Sequence, residues 1–283
     1  MHPPSQTRSP GDEPPPAGAP WDSPIEDAPF AFLDLEMTGL RVGDDRVLEV
    51  CLERVRGGVV EARVDRLIDP DGRRGNEAIH GLGDAALAGA PPFAAIAQEL
   101  CDALEGAIVV AHGAAWDLAF LRDELTRAGR SDRAPTHAID TLVLCRRALH
   151  LPSYALQKVA AALEIKVDRA HRASDDVTTL RAVWPRLLHD LSPRTARDLW
   201  DVRIAERAPR VAIVAALEQA LASGHPVDLV YRAARRDPES LTIVLTALVP
   251  PHAIGYLLPG RGRRELRIDR ILRVGDHDDV PTP

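Results

Sequence analysis

The chain has 283 residues, 45% of them hydrophobic but only 4% aromatic, so Leu, Val, Ala and Ile must fill its cores; the length suits one large domain or two ordinary ones. A formal net charge of −7 excludes the global basic character of many nucleic-acid binders, while leaving room for a local basic groove or for carboxylates that hold cations. No window approaches the ~20 apolar residues of a membrane span, no basic N-terminal region precedes an apolar one, and Cys51, Cys101 and Cys145 form no CxxC pair, so a cytoplasmic protein with reduced thiols and no membrane partner is expected.

Residues 1–28, with Pro14-Pro15-Pro16 among them, are rich in Pro, Ser, Gly and Asp and predict a disordered tail. From Phe30 the pattern is β: strands over 30–35, 46–56 and 59–68, the last two joined by Gly57-Gly58, predict an antiparallel meander. A long loop follows, containing Ile79-His80-Gly81-Leu82, and then a helix from Pro92 whose apolar face is Phe93, Ile96, Ala97, Leu100 and Leu104. Residues 107–111 (AIVVA) read as a buried central strand and lead through His112-Gly113 into a helix carrying Asp117. Helices are predicted over 138–147, 155–163 and 175–188, the last preceded by His171 and carrying Asp176 in its first turn. A helical connector spans 191–223, and a β module follows with strands at 227–233, 241–249, 253–258 and 265–271.

The segment FLDLEMTGL, residues 32–40, organises the first half. On a strand Asp34 and Glu36 point from one face, and a buried pair of like charges is costly unless cations or donors neutralise it; the bland alternative is a surface strand with solvated acids. Asp117, just past the end of a buried strand, and Asp176, at a helix start, bring two more hard oxygen donors of the kind that Mg2+ or Mn2+ takes. Two such ions can activate water and steady the leaving oxygen of a phosphodiester, and an imidazole such as His171 is suited to take the proton.

The segments FLDLEMTGL, AHGAAWDLAFL and HRASDD, in that order, resemble the three motifs of the DEDD superfamily of 3′-to-5′ exonucleases, and His171, five residues before Asp176, matches its histidine (DEDDh, DnaQ-like) subclass. The resemblance covers about residues 29–190. It implies an α/β, ribonuclease H-like mixed sheet flanked by helices, two divalent ions held by Asp34, Glu36, Asp117 and Asp176, and His171 as general base. It also implies substrate contacts from Met37, Thr38, Gly39, Leu40, His80 and Phe120 with the 3′ end of a single-stranded nucleic acid. The second motif departs from the family where Gly113 replaces Asn and Trp116 replaces Phe.

Residues 224–277 resemble a WYL domain, a small Sm-like β-barrel, with Gly255-Tyr256-Leu257 at the namesake triplet and Gly in place of Trp. Arg261, Arg263, Arg264 and Arg267 belong to an arginine-rich stretch that either holds phosphates or a nucleotide ligand, or is a solvated edge. The expectation is a metal-dependent exonuclease releasing nucleoside 5′-monophosphates from single-stranded DNA or RNA. The alternative is an inert nuclease fold serving as a nucleotide- or nucleic-acid-binding regulator.

Overall fold

A computed structural model describes residues 14–73, 75, 77–149, 151–166, 172–204, 211–233, 238–249, 252–260 and 262–276. His171 and Arg261 lie outside these residues. In chain order the elements are β1 (Phe30–Met37), β2 (Val47–Arg56), β3 (Val59–Leu67), α1 (Glu77–His80), α2 (Asp84–Leu87), α3 (Phe93–Leu104), β4 (Ile108–Ala111), α4 (Ala115–Arg127), β5 (Ala138–Asp140), α5 (Thr141–Ala148), α6 (Leu156–Ala162), α7 (Ala173–Leu191), α8 (Ala196–Ile204), α9 (Val211–Ser223), β6 (Val227–Tyr231), β7 (Glu239–Val249), β8 (His252–Leu258), β9 (Arg263–Arg267) and β10 (Ile271–Asp276). Two compact units divide the chain: Met1–Ile139 with Arg169–Val177, and Asp140–Asp168 with Thr178–Pro283.

The first unit is built on a mixed sheet in the order β3-β2-β1-β4-β5. Strands β1, β2 and β3 form the antiparallel meander, and β4 joins β1 in parallel after the crossover through α3. Along β1, Ala31, Leu33 and Leu35 alternate into a core completed by Val50 and Leu52 of β2, Val109 and Ala111 of β4, and the apolar faces of α3 and α4. Fully burying a side chain such as Leu33 contributes roughly 2 kcal/mol. The intervening residues of β1, Asp34 and Glu36, therefore share the other face. Within the stretch expected to be a tail, Trp21 and Ala28 are buried, and the Trp21 ring meets His137 edge-on with centroids 6.1 Å apart.

Two local expectations need correction. Residues 138–140 are a short strand, and the helix begins at Thr141, because the Asp140 carboxylate accepts the Leu142 N–H and caps α5. The loop after β3 contains the single helical turns α1 and α2, too short to show a hydrophobic period.

The expected C-terminal barrel is also overturned. The module is a five-stranded sheet in the order β10-β6-β7-β8-β9, with β9 and β10 at opposite edges. Strand β9 pairs with β8 and β10 pairs with β6, so among the described residues the ladder does not close; a 3-10 turn at Ile268–Arg270 separates β9 from β10 where a single strand over 265–271 is expected. Ile213 and Leu217 of α9 join its core beside Val227, Leu229, Ile243 and Leu245. Gly255 offers no room for the aromatic residue of the WYL pattern, since even a Cβ there would collide with the Val244 carbonyl oxygen. The open sheet is thus not the small Sm-like barrel that the WYL resemblance implied.

Candidate metal centre and active site

Asp34, Glu36 and Asp176 each present a carboxylate oxygen within 4.8 Å of the others. The first two come from alternate positions on β1, and Asp176 from the first turn of α7. Asp117 comes from the first turn of α4 and is 7% exposed. Its placement follows from the shortness of β4: the paired register with β1 ends at Phe32 and Val110, and beyond it the Asp117 carboxylate accepts the Leu35 N–H at 3.2 Å. A strand end thus becomes a place where a side chain replaces a sheet partner.

The cluster is electrostatically crowded. Burial pushes the Asp34 carboxyl well above the usual carboxylate range, and Asp117, Asp176, Glu36 and Glu49 push it further. Burial likewise raises Glu36 to about 7, with Asp176, Glu49 and Asp117 adding to the rise and Arg172 opposing it. Such crowding of hard oxygen donors fits a divalent cation, which would relieve the repulsion and which favours this donor set.

The loop from β1 to β2 is closed tightly at its base. Thr38 N–H donates to the Arg46 carbonyl at 2.8 Å, and Arg46 N–H donates to Thr38 Oγ1 at 2.9 Å. Asp45 accepts from Thr38 Oγ1 and from the Arg41 N–H, and its carboxylate lies against Gly39, where a Cβ would approach it to 2.6 Å. Met37 is partly buried, whereas Leu40 stands 63% exposed.

Phe120, expected among the substrate contacts, is fully buried in the core. It lies three residues along α4 from Asp117 and holds that helix to the sheet. His80 is also buried: its Nδ1 accepts the Leu82 N–H at 3.0 Å, Nε2 has no hydrogen-bond partner among the described residues, and burial holds the imidazole below its ordinary pKa. Arg263, Arg264 and Arg267 are exposed on edge strand β9, with Arg263 paired to Glu265 at 2.9 Å.

Sequence reasoning passed over Glu49. It is 2% exposed on β2, in register with Glu36, and bonded to Arg172. The available signal was its position: with Cys51 and Glu53 it alternates along a strand whose other residues, Arg54 and Arg56 aside, are apolar.

A mixed sheet flanked by helices, with a carboxylate cluster at the end of its central strand, is the arrangement of the ribonuclease H-like proteins. The chain belongs to the RNase_T exonuclease family, whose model matches residues 31–183. It is 32% identical over 171 residues to the PolC-type DNA polymerase III of Thermotoga petrophila, an alignment covering 59% of this chain and 12% of that one. It is 28% identical over 169 residues to the DNA polymerase III epsilon subunit of Aquifex aeolicus, covering 58% of this chain and 83% of that one. The chain therefore spans only a small part of the PolC-type relative. Among solved structures, Escherichia coli exonuclease I in complex with a dT13 oligonucleotide shares the fold at TM-score 0.54 and 15% identity, over 89% of this chain and 66% of that one. Among the described residues, no helix is long and apolar enough to cross a membrane.

Proposed function

We propose that the protein is a 3′-to-5′ exonuclease that hydrolyses phosphodiester bonds at the 3′ end of single-stranded DNA or RNA and releases nucleoside 5′-monophosphates. The observation that carries this reading is the convergence of Asp34, Glu36 and Asp176 within 4.8 Å, beside the buried Asp117. These acids would hold two divalent ions, Mg2+ or Mn2+. The ions supply water activation and neutralisation of charge on the phosphate.

The remaining roles belong to the chain's own residues. His171 takes the proton from the attacking water. Met37, Thr38 and Gly39 border the terminal nucleotide, and exposed Leu40 packs on its base. A pocket that separates one nucleotide from its neighbour favours single strands, because unpairing adds a cost. Exposed Arg263, Arg264 and Arg267 on β9 offer phosphate contacts of their own.

The test uses 5′-labelled single-stranded DNA and RNA of equal sequence with Mn2+ or Mg2+. Stepwise shortening from the 3′ end, abolished by chelator and by Asp34→Ala, is the expected result. Absence of metal-dependent cleavage of either strand would overturn the reading and favour the inert, binding-only alternative.

A further inference from the structure

Helix α7 (Ala173–Leu191) follows directly on Arg172. The Arg172 carbonyl accepts from the Asp175 and Asp176 N–H groups at 2.9 Å, which makes Arg172 the residue at the helix boundary, where Ser, Thr, Asp or Asn would ordinarily accept a free N–H. A guanidinium has no acceptor. An acceptor comes from β2: the Glu49 carboxylate takes the Ala173 N–H at 3.0 Å.

The same carboxylate grips Arg172. Arg172 Nε donates to Glu49 Oε1 and Oε2 at 3.2 and 3.1 Å, and Nη2 donates to Oε1 at 2.7 Å. Glu49 is 2% exposed and stands in register opposite Glu36. Its bonds go to the start of α7, and it is absent from the group of ligand atoms formed by Asp34, Glu36 and Asp176.

We infer that Glu49 and Arg172 are positioning residues: their clamp, together with the bond from Glu49 to Ala173, fixes the start of α7 to β2 so that Asp176 is delivered to the carboxylates of β1. The inference rests on the reading of that cluster as a metal site. Orientation of donors by the groups behind them typically changes metal affinity ten- to a hundredfold.

Electrostatics and positioning give opposite signs for one substitution. Arg172→Ala removes a positive charge whose field reaches Glu36 and leaves Glu49 without its partner, so charge alone would tighten cation binding. Loss of positioning weakens it. Mn2+ binding to the full chain, measured by isothermal titration calorimetry without nucleic acid, separates the two. The expected result is about a tenfold or greater loss for Arg172→Ala, and a smaller loss for Arg172→Lys, which keeps the charge but not the planar fork. Circular dichroism and thermal unfolding check that each variant is folded; if Arg172→Ala is not, Arg172→Lys carries the test. Unchanged or tighter Mn2+ binding in a folded variant overturns the inference. Undiminished binding in Asp34→Ala and Asp176→Ala instead overturns the metal-site reading beneath it.

Discussion

The Arg46 guanidinium and the Glu124 carboxylate form a two-bonded pair, Nε to Oε1 at 2.7 Å and Nη2 to Oε2 at 3.1 Å, with Glu124 1% exposed on α4. Glu124 also accepts the Val47 N–H at 3.3 Å, so the foot of the loop bearing Leu40 is tied to the helix bearing Asp117. Arg46→Ala strands a buried carboxylate and is expected to cost about 3–5 kcal/mol, whereas the double change Arg46→Met with Glu124→Leu costs much less. Urea unfolding of the single and double variants measures the contrast; equal losses would show that no buried charge was left behind.

Gly39 is required by space. Alanine there would press on the Asp45 carboxylate, which is held by Thr38 Oγ1 and the Arg41 N–H and cannot swing away freely. Gly39→Ala should destabilise by about 1–3 kcal/mol and lower exonuclease activity. Adding Asp45→Ala removes the obstruction, so the two effects should be less than additive in thermal unfolding.

Stability of the metal-free protein should fall as pH rises. With Glu36 raised to about 7 from its ordinary 4.5, the folded state binds more protons than the unfolded state between those values. The stabilisation is fully present below pH 4.5 and is lost as pH passes 7. Melting temperatures in EDTA from pH 4.5 to 8 should show this fall, and Glu36→Gln should flatten it; an unchanged profile in the variant would assign the effect elsewhere.

Asp34→Asn should separate stability from metal binding. Removing one charge from a buried cluster of like charges is expected to raise the melting temperature in EDTA, while the further rise on adding Mn2+ is lost. Differential scanning fluorimetry with and without the ion reads both effects. A variant that melts lower in EDTA and still responds to Mn2+ would contradict this assignment.

Gly255→Ala should cost about 1–3 kcal/mol, because the obstruction is the Val244 backbone carbonyl on the paired strand β7, which cannot move without breaking register. Chemical unfolding measures the loss. An unperturbed variant would mean that β7 and β8 are less tightly paired than their register implies.

Much of the first unit was legible because its signals are local. Alternation places Asp34 and Glu36 opposite the Leu33 and Leu35 face, the apolar run before His112 marks β4, and Asp117 and Asp176 fall in first turns of helices. Glu49 was obscured because its meaning depends on Arg172, 123 positions away. Phe120 stands three residues after Asp117 in the same motif, and its burial comes from tertiary packing that the motif does not encode. In the C-terminal sheet, strand composition was readable, but whether β9 and β10 pair depends on the path of a three-residue turn, which composition does not encode.

Asp176 belongs to a segment, Arg169–Val177, that returns to the first unit after Asp140–Asp168 has been spent in the second. A single break within residues 140–168 therefore leaves Asp34, Glu36 and Asp117 on one fragment and Asp176 on the other. Neither fragment alone carries the whole acid set. The interleaved order makes the chain a starting point for a two-part reporter, in which recovered nuclease signal registers the reunion of the pieces.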